Sequence, residues 1–193
     1  MIYRNKTFTI SELKEHDYDE CEFNSCLFIG LSLHFISFTK CKFNQCDFSG
    51  AIFDGINFTN CTFPESKMSY LDFSYTTFKN CDFGYAVMQG CVFQRLKSGS
   101  KFEKQKMDLS NCSFRKCNLK QTVFVLCNLR NVQFEKSNLE KAIFENCRLE
   151  QACFTEANIE GAGFDTSKIG NTIIDFNGFI QYGKSKGFIL SKI

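Results

Sequence analysis

"NCDFGYAVMQGCVF", residues 80–93, spaces Phe83, Met88 and Phe93 five residues apart. A small residue lies two positions before each of them, at Cys81, Ala86 and Cys91. A period of five fits neither a strand, which repeats every two residues, nor a helix, which repeats every 3.6. It predicts a coil built from short straight sides, each of which turns one large residue inward.

The period continues in both directions from this stretch. Large residues hold one register from Tyr18 to Phe93, and a second run extends from Leu109 to Ile174. The second run is one residue out of phase, because the gap from 93 to 109 is sixteen residues rather than fifteen. Within it, Leu or Ile alternates strictly with Phe as far as Phe164. The chain is therefore an internal-repeat protein with one interruption.

Twenty residues complete one turn if five residues make one side of a square coil. Residues twenty apart then stack, as Leu109, Leu129 and Leu149 do in the second run. Parallel coils about 4.8 Å apart pair main chain to main chain. The pattern predicts an all-β solenoid with a quadrilateral cross-section and 20 residues per coil, in which the large residues fill the axis.

The cysteines follow the same pattern. Eleven of the twelve lie two residues before a large residue, which we call the small position, and only Cys153 does not. Ala51, Ser66 and Thr122 share that position, so residue size is selected rather than thiol chemistry. We expect reduced, buried thiols and no metal site, since no CxxC pair is present and His16 and His34 are the only histidines.

Composition limits the function. The chain has 193 residues, 44% hydrophobic and 23% charged, and its first twenty residues contain no apolar core. These features predict a cytoplasmic protein with no membrane contact. The sequence contains no motif for a nucleophile, a phosphate loop or a metal, and an axially filled coil offers no pocket. We expect no enzyme activity, no cofactor and no direct binding of nucleic acid.

The stretches "CDFSGAIFDG" at 46–55 and "CNLRNVQFEKSNLEKAIFENCRLEQACF" at 127–154 resemble the pentapeptide-repeat family, as does "ANIEGAGF" at 157–164. The family pattern is a small residue, Asn or Asp, Leu or Phe, and two variable positions, and it covers roughly residues 16 to 176 here. The resemblance implies a right-handed quadrilateral β-helix. It does not imply one function, since a fold can host several.

We expect five segments along the chain. They are an N-terminal cap (1–15), a first tower (16–93), a basic interruption (94–108), a second tower (109–175) and a C-terminal cap with a dimerisation segment (176–193).

The interruption is the first candidate site. In "QRLKSGSKFEKQK", residues 94–106, either "SKFEK" forms an irregular pentad with Phe102 inward or the whole stretch loops out. A solvated surface insertion is the plain interpretation, but loops on rigid scaffolds often bind partners. We therefore predict a partner-binding loop, whose residues are Arg95, Lys97, Lys101, Phe102, Lys104 and Lys106.

The tail is the second candidate site. Its apolar residues exceed what is needed to cover the unpaired edge of one coil, so we predict a cap that also pairs with a second copy of the chain. The predicted contact residues are Phe176, Phe179, Ile180, Tyr182, Phe188, Ile189 and Leu190.

The order of elements in the tail also resembles a subset of the family. Asp175, a short amphipathic helix, Gly187 and the apolar Phe188–Leu190 are similar to the end of the Qnr quinolone-resistance proteins and of immunity proteins against gyrase-poisoning microcins. This resemblance implies a cap of helix and strand and a homodimer joined at the C-terminal ends. It also implies binding to DNA gyrase, and to topoisomerase IV as a further target, with relief of a topoisomerase poison.

Charge argues against full imitation of DNA. Residues 1–93 carry a net charge of −4, 94–108 carry +3, 109–175 carry 0 and 176–193 carry +3. DNA bears one charge per about 1.7 Å, so a tower about 38 Å long would need more than about twenty negative charges to match it. Contact with gyrase is expected to depend on shape, on the basic interruption and on local acidic patches such as Asp17, Asp19, Glu20 and Glu22.

Two functions therefore follow from the sequence. The first is protection of a type II topoisomerase from a quinolone or a microcin-type toxin. The alternative is an interaction scaffold with an unrelated partner. Apolar residues predicted to point outward on two adjacent sides would serve either one, and they are Leu27, Ile29, Phe35, Ile52, Tyr70, Tyr75, Val87 and Val92.

Overall fold

In the computed structural model, the chain is a right-handed quadrilateral β-helix that ends in a short helix, as the five-residue period predicts. The structure describes residues 1–13, 17–95 and 106–191. We number the coils from the N-terminus as coil 1 (1–20), coil 2 (21–40), coil 3 (41–60), coil 4 (61–80), coil 5 (81–111), coil 6 (112–131), coil 7 (132–151) and coil 8 (152–171).

The strands are short because each side of the coil is only five residues long. They are β1 (Ile2–Arg4), β2 (Tyr18–Asp19), β3 (Glu22–Asn24), β4 (Ser32–His34), β5 (Ser37–Thr39), β6 (Lys42–Asn44), β7 (Ile52–Asp54), β8 (Ile56–Thr59), β9 (Thr76–Lys79), β10 (Val92–Phe93), β11 (Met107–Asp108), β12 (Val123–Val125), β13 (Cys127–Asn128) and β14 (Ile143–Glu145). The helices are α1 (Ile10–Leu13) and α2 (Phe176–Ser185).

The four sides of the coil stack into four faces, which we name by their inward residues in coil 2. Face A contains Phe23 and the sheet β1-β3-β6, and face B contains Phe28 and isolated bridges. Face C contains Leu33 and the sheets β4-β7 and β10-β12-β14. Face D contains Phe38 and the sheets β2-β5-β8-β9 and β11-β13. All pairings are parallel, with partners twenty residues apart in most coils.

Phenylalanine rings fill the axis in two kinds of contact. Along a face they stack, as Phe23 does on Phe43 with centroids 4.7 Å apart and planes 3° apart. Between adjacent faces they meet edge to face, as Phe23 does with Phe28 at 5.6 Å and 67°. Both geometries are favourable for aromatic pairs. The interior is therefore a continuous, close-packed column.

The small position also supplies hydrogen bonds between coils. The Cys41 thiol donates to the carbonyl of Tyr18 over 3.4 Å, and the Ser66 hydroxyl donates to the carbonyl of Phe43 over 2.7 Å. All twelve cysteines are free and buried. Burial raises the pKa of six of these thiols, for example that of Cys46 to about 12. They act as small neutral donors, as their sequence position predicts.

Each corner of the coil needs a left-handed backbone conformation. The last residue of nearly every pentad has a positive φ, as at Asn60 (55°) and Asn80 (53°). Asn tolerates this region, whereas a bulky residue is disfavoured there. Phe35, Tyr70 and Tyr85 nevertheless occupy such corners, with φ of 54°, 61° and 65°.

The interruption adds eleven residues to one coil, and the coils that follow keep the 20-residue repeat. Val92 pairs with Val123, an offset of 31 residues (123 minus 92), whereas Val123 pairs with Ile143 at the usual offset of 20. Leu109 therefore takes the face D position that follows Phe93, and "SKFEK" lies outside the described residues. The surplus leaves at the corner between faces C and D of coil 5.

Different devices close the two ends. At the start, α1 buries Leu13 in coil 1, and the Thr9 amide and hydroxyl both donate to the Glu12 carboxylate, over 2.8 and 2.9 Å. β1 lies in the segment 1–15, which we expected to be a cap, and already pairs with β3. At the other end α2 covers coil 8. Residues 187–191 form no strand in the described chain.

Candidate interaction surfaces

The predicted loop is anchored at two exposed cations. Arg95 lies at the corner between faces C and D of coil 5, and Lys106 lies just before β11 on face D. The other predicted contacts lie outside the described residues, and they are Lys97, Lys101, Phe102 and Lys104. The structure thus fixes where this segment leaves and rejoins the tower.

The hydrogen-bonded ladder on face D is split at this point. β9 pairs with β8 and β11 pairs with β13, but no strand pairing or bridge joins β9 to β11 in the part of the chain that the structure describes. A groove of about 230 Å³ opens between the two strands, and Lys79 and Arg95 line it. The groove exposes a short strand edge beside the basic interruption.

Polar contacts fix α2 to coil 8. The Asp175 carboxylate accepts the amide of Gly178 over 2.8 Å as the N-cap of α2, and it accepts the amide of Glu156 over 2.5 Å. These two donors hold the pKa of Asp175 below its usual value. The Gln181 side chain accepts the amide of Ile159 over 2.7 Å. The hydrogen bonds between α2 and coil 8 therefore replace some of the main-chain pairing that a further coil would give to coil 8.

The covering of coil 8 is incomplete. An apolar cavity of about 200 Å³ remains between α2 and the coil, and Phe154, Phe164, Phe179 and Tyr182 are among its lining residues. Of the predicted dimer contacts, Ile180 and Tyr182 are half-buried. The others are exposed, and they are Phe176 (78%), Phe179 (63%), Phe188 (72%), Ile189 (94%) and Leu190 (60%). The end of the tower thus presents a large apolar surface.

Surface charge is distributed unevenly among the faces. In coils 2 to 8, face A carries four basic and five acidic side chains, and face B carries three of each. Face C carries four acidic residues and one basic residue, which are Asp54, Asp72, Glu145, Asp165 and Arg95. Face D carries five basic residues, Lys40, Lys79, Arg130, Arg148 and Lys168, and two acidic ones, Asp108 and Glu150. The net charge is therefore negative on face C and positive on face D, and the interruption leaves the tower at the corner between these two faces.

Many charged side chains pair between coils rather than with a partner. Lys40 contacts Glu20 and Lys120 contacts Glu140, each over 2.8 Å and at an offset of twenty residues. Such exposed pairs contribute roughly 0–1 kcal/mol each. Their spacing favours the observed coil register over a slipped one.

Metal clusters and membrane-spanning helices are absent from the part of the chain that the structure describes. In the described residues, no group of three or more His, Cys, Asp and Glu side chains could hold a metal ion. None of the described helices has the length and apolar character needed to cross a membrane.

Sequence reasoning missed the split ladder and the polarity of faces C and D. Both features appear only when the interruption is counted as eleven additional residues in one coil, rather than as a shift of the repeat by one residue. With that correction, residues sort into columns twenty apart and the acidic face becomes visible in the sequence. The predicted outward positions Leu27 and Val87 lie on face B, while Ile52 and Val92 lie on face C, which confirms that the two sides are adjacent.

Comparison with known proteins bears on the whole chain. A family model described as a pentapeptide repeat region matches residues 36–106 and 99–174. A structure of trypsin-treated QnrB1, a plasmid-mediated fluoroquinolone resistance protein, is similar with a TM-score of 0.74 at 15% identity, covering 100% of this chain and 99% of that one. A second trypsin-treated QnrB1 structure gives a TM-score of 0.53 at 16% identity, covering 99% and 97%. No curated protein sequence matches the chain.

Proposed function

The chain belongs to the pentapeptide-repeat family, and from that premise we propose that it protects a type II DNA topoisomerase from a poison such as a quinolone or a microcin-type toxin. The supporting observation is an architecture similar to that of QnrB1 from end to end, at a TM-score of 0.74. The resemblance of the tail to Qnr and immunity proteins adds DNA gyrase as the target, with topoisomerase IV as a further one.

The protein acts in this proposal as a rigid contact surface. Its core is a continuous stack of rings, so the faces keep their shape when a partner binds. Net charge is too small for imitation of DNA along the whole tower. Recognition then depends on shape and on local charge, with the interruption between Arg95 and Lys106 as the proposed partner-binding loop.

We further propose that the working form is a homodimer joined through the C-terminal ends. The exposed apolar residues of α2 and of Phe188–Leu190 lie on one end of the tower. Pairing of two copies would cover these side chains and would give Phe188–Leu190 a strand partner.

Gyrase supercoiling in the presence of ciprofloxacin tests the function. The intact protein is expected to restore supercoiling in a concentration-dependent manner and to leave supercoiling unaffected without the drug. The same assay with a microcin-type poison covers the second class of poison. If neither poison is relieved, the proposal is wrong and the scaffold alternative takes its place.

The register allows a clean deletion of the loop. Removing the eleven residues 96–106 joins Arg95 to Met107 and restores a 20-residue coil, whereas removing twelve would leave coil 5 one residue short. A matched variant replaces the same eleven residues with Gly and Ser. We expect both variants to fold and to lose most of the protection. Full protection by either variant would move the contact from the loop to the faces of the tower.

A further inference from the structure

Face C has a column of outward apolar side chains, which are exposed at Ile52 and Ile143 and half-buried at Val92 and Val123. Val92, Val123 and Ile143 lie on consecutive strands of one parallel sheet and point outward. Val125 lies beside this column, and Leu126 occupies the next corner. Ile52, which is 57% exposed, continues the same column in coil 3. From coil 3 to coil 7 this column spans about 19 Å, at about 4.8 Å per coil.

Carboxylates border the column. Asp54 and Glu145 lie two residues beyond Ile52 and Ile143, on the same outward face, and Asp72 interrupts the column in coil 4. Asp165 is ion-paired with Lys186, which follows α2. Among the described residues of face C, Arg95 at its corner is the one Lys or Arg, and His34 Nδ1 lies 3.2 Å from the Asp54 carboxylate. An anionic partner such as nucleic acid or an acidic membrane surface is therefore disfavoured on face C.

The backbone of this face restricts the shape of a partner. The main-chain groups of β10, β12 and β14 already pair within their own ladder, so an extended peptide would gain no further main-chain hydrogen bonds from them. A helix satisfies its own main-chain groups and can pack an apolar stripe against a flat sheet. About 13 helical residues span 19 Å at 1.5 Å per residue.

We propose that face C is a docking surface for a basic amphipathic helix of a partner protein. Leu-like side chains of the helix would cover Val92, Val123 and Ile143, and its flanking Lys or Arg side chains would face Asp54 and Glu145. This inference does not rest on protection of a topoisomerase. It assigns a second surface to the tower, apart from the interruption and the C-terminal end.

A peptide probe tests the proposal in the absence of any topoisomerase. The probe is a fluorescein-labelled 18-residue peptide of Leu and Lys at helical spacing, and its control replaces each Lys with Glu. In anisotropy titrations with the full chain, we expect the Glu peptide to bind at least tenfold more weakly. Equal binding of the two peptides would overturn the charge requirement.

Protein variants locate the binding site. Val123→Lys with Ile143→Lys is expected to weaken binding of the Lys peptide at least tenfold. The matched control is Ser113→Lys with Gln133→Lys, which adds the same charge to the same coils on face A, and it should bind within twofold of the original protein. Thermal unfolding of both variants checks that the tower is intact. Equal loss in both variants would overturn the assignment to face C.

A third variant examines the chain's own interruption as the occupant. Deleting residues 96–106 should leave binding of the Lys peptide unchanged if face C is open to a partner. If only the deleted form binds, the occupant is the chain itself and the proposal of an external partner is wrong. Absence of binding by both forms would also overturn it.

Discussion

At the scale of the residue, the corners of the coil show a conflict between backbone and side chain. A left-handed conformation costs roughly 1–2 kcal/mol for a residue with a Cβ atom, and least for Asn. Phe35 adopts φ of 54° while its side chain is 80% exposed, so packing returns little of that cost. The ring lies against Gly55 of the next coil, where an added Cβ atom would fall 2.5 Å from Phe35 Cδ1.

Replacement of Phe35 measures this cost. Phe35→Asn is expected to raise the free energy of unfolding by about 1 kcal/mol, because Asn tolerates the left-handed region. Phe35→Ala has no side-chain amide to hydrogen-bond the local backbone and should give no comparable gain. Chemical denaturation of both variants provides the measurement. An equal gain in both would attribute the effect to the exposed ring rather than to the backbone.

At the scale of the element, α2 depends on one carboxylate. Asp175 accepts main-chain amides from α2 and from coil 8, and these donors depress its pKa. A group whose pKa is lower in the folded state stabilises the fold above its unfolded pKa and loses this effect as the pH falls through the folded pKa. The attachment of α2 should therefore weaken only in acid.

An NMR titration checks this dependence. The amide shifts of Gly178 and Glu156 should titrate together with a midpoint below 3.8, the ordinary pKa of an Asp. Asp175→Asn keeps an N-cap side chain and should abolish the shared transition while α2 stays attached near neutral pH. A midpoint at or above 3.8 would contradict the role given to these two hydrogen bonds.

At the scale of the whole molecule, the apolar end predicts the state of assembly. Phe179→Asp with Phe188→Asp places two charges on the end surface and should give a monomer of about 22.2 kDa by light scattering, where the original protein gives twice that mass. Phe35→Asp, which adds charge to an exposed aromatic far along the tower, should leave the dimer intact. A monomeric original protein would remove the homodimer from the proposed function.

Much of the molecule was predictable because one physical rule repeats along the chain. Phe23, Phe43 and Phe63 stack twenty residues apart, so the five-residue period alone gave the coil, the core and the small position of the cysteines. The split ladder between β9 and β11 was not predictable from that period. It depends on where eleven surplus residues leave a coil, and the repeat phase alone allows more than one placement.

That corner of coil 5 also has a practical use. The tower accepts eleven additional residues between faces C and D while faces A, B and C of coil 5 keep their pairing with coils 4 and 6. Loop closure costs rise slowly with length, by only about 0.6 kcal/mol for each doubling. The corner is thus an insertion site at which a foreign peptide could be displayed on a rigid scaffold. Because successive coils lie about 4.8 Å apart, the distance from the peptide to a chosen surface residue would be known from the number of coils between them.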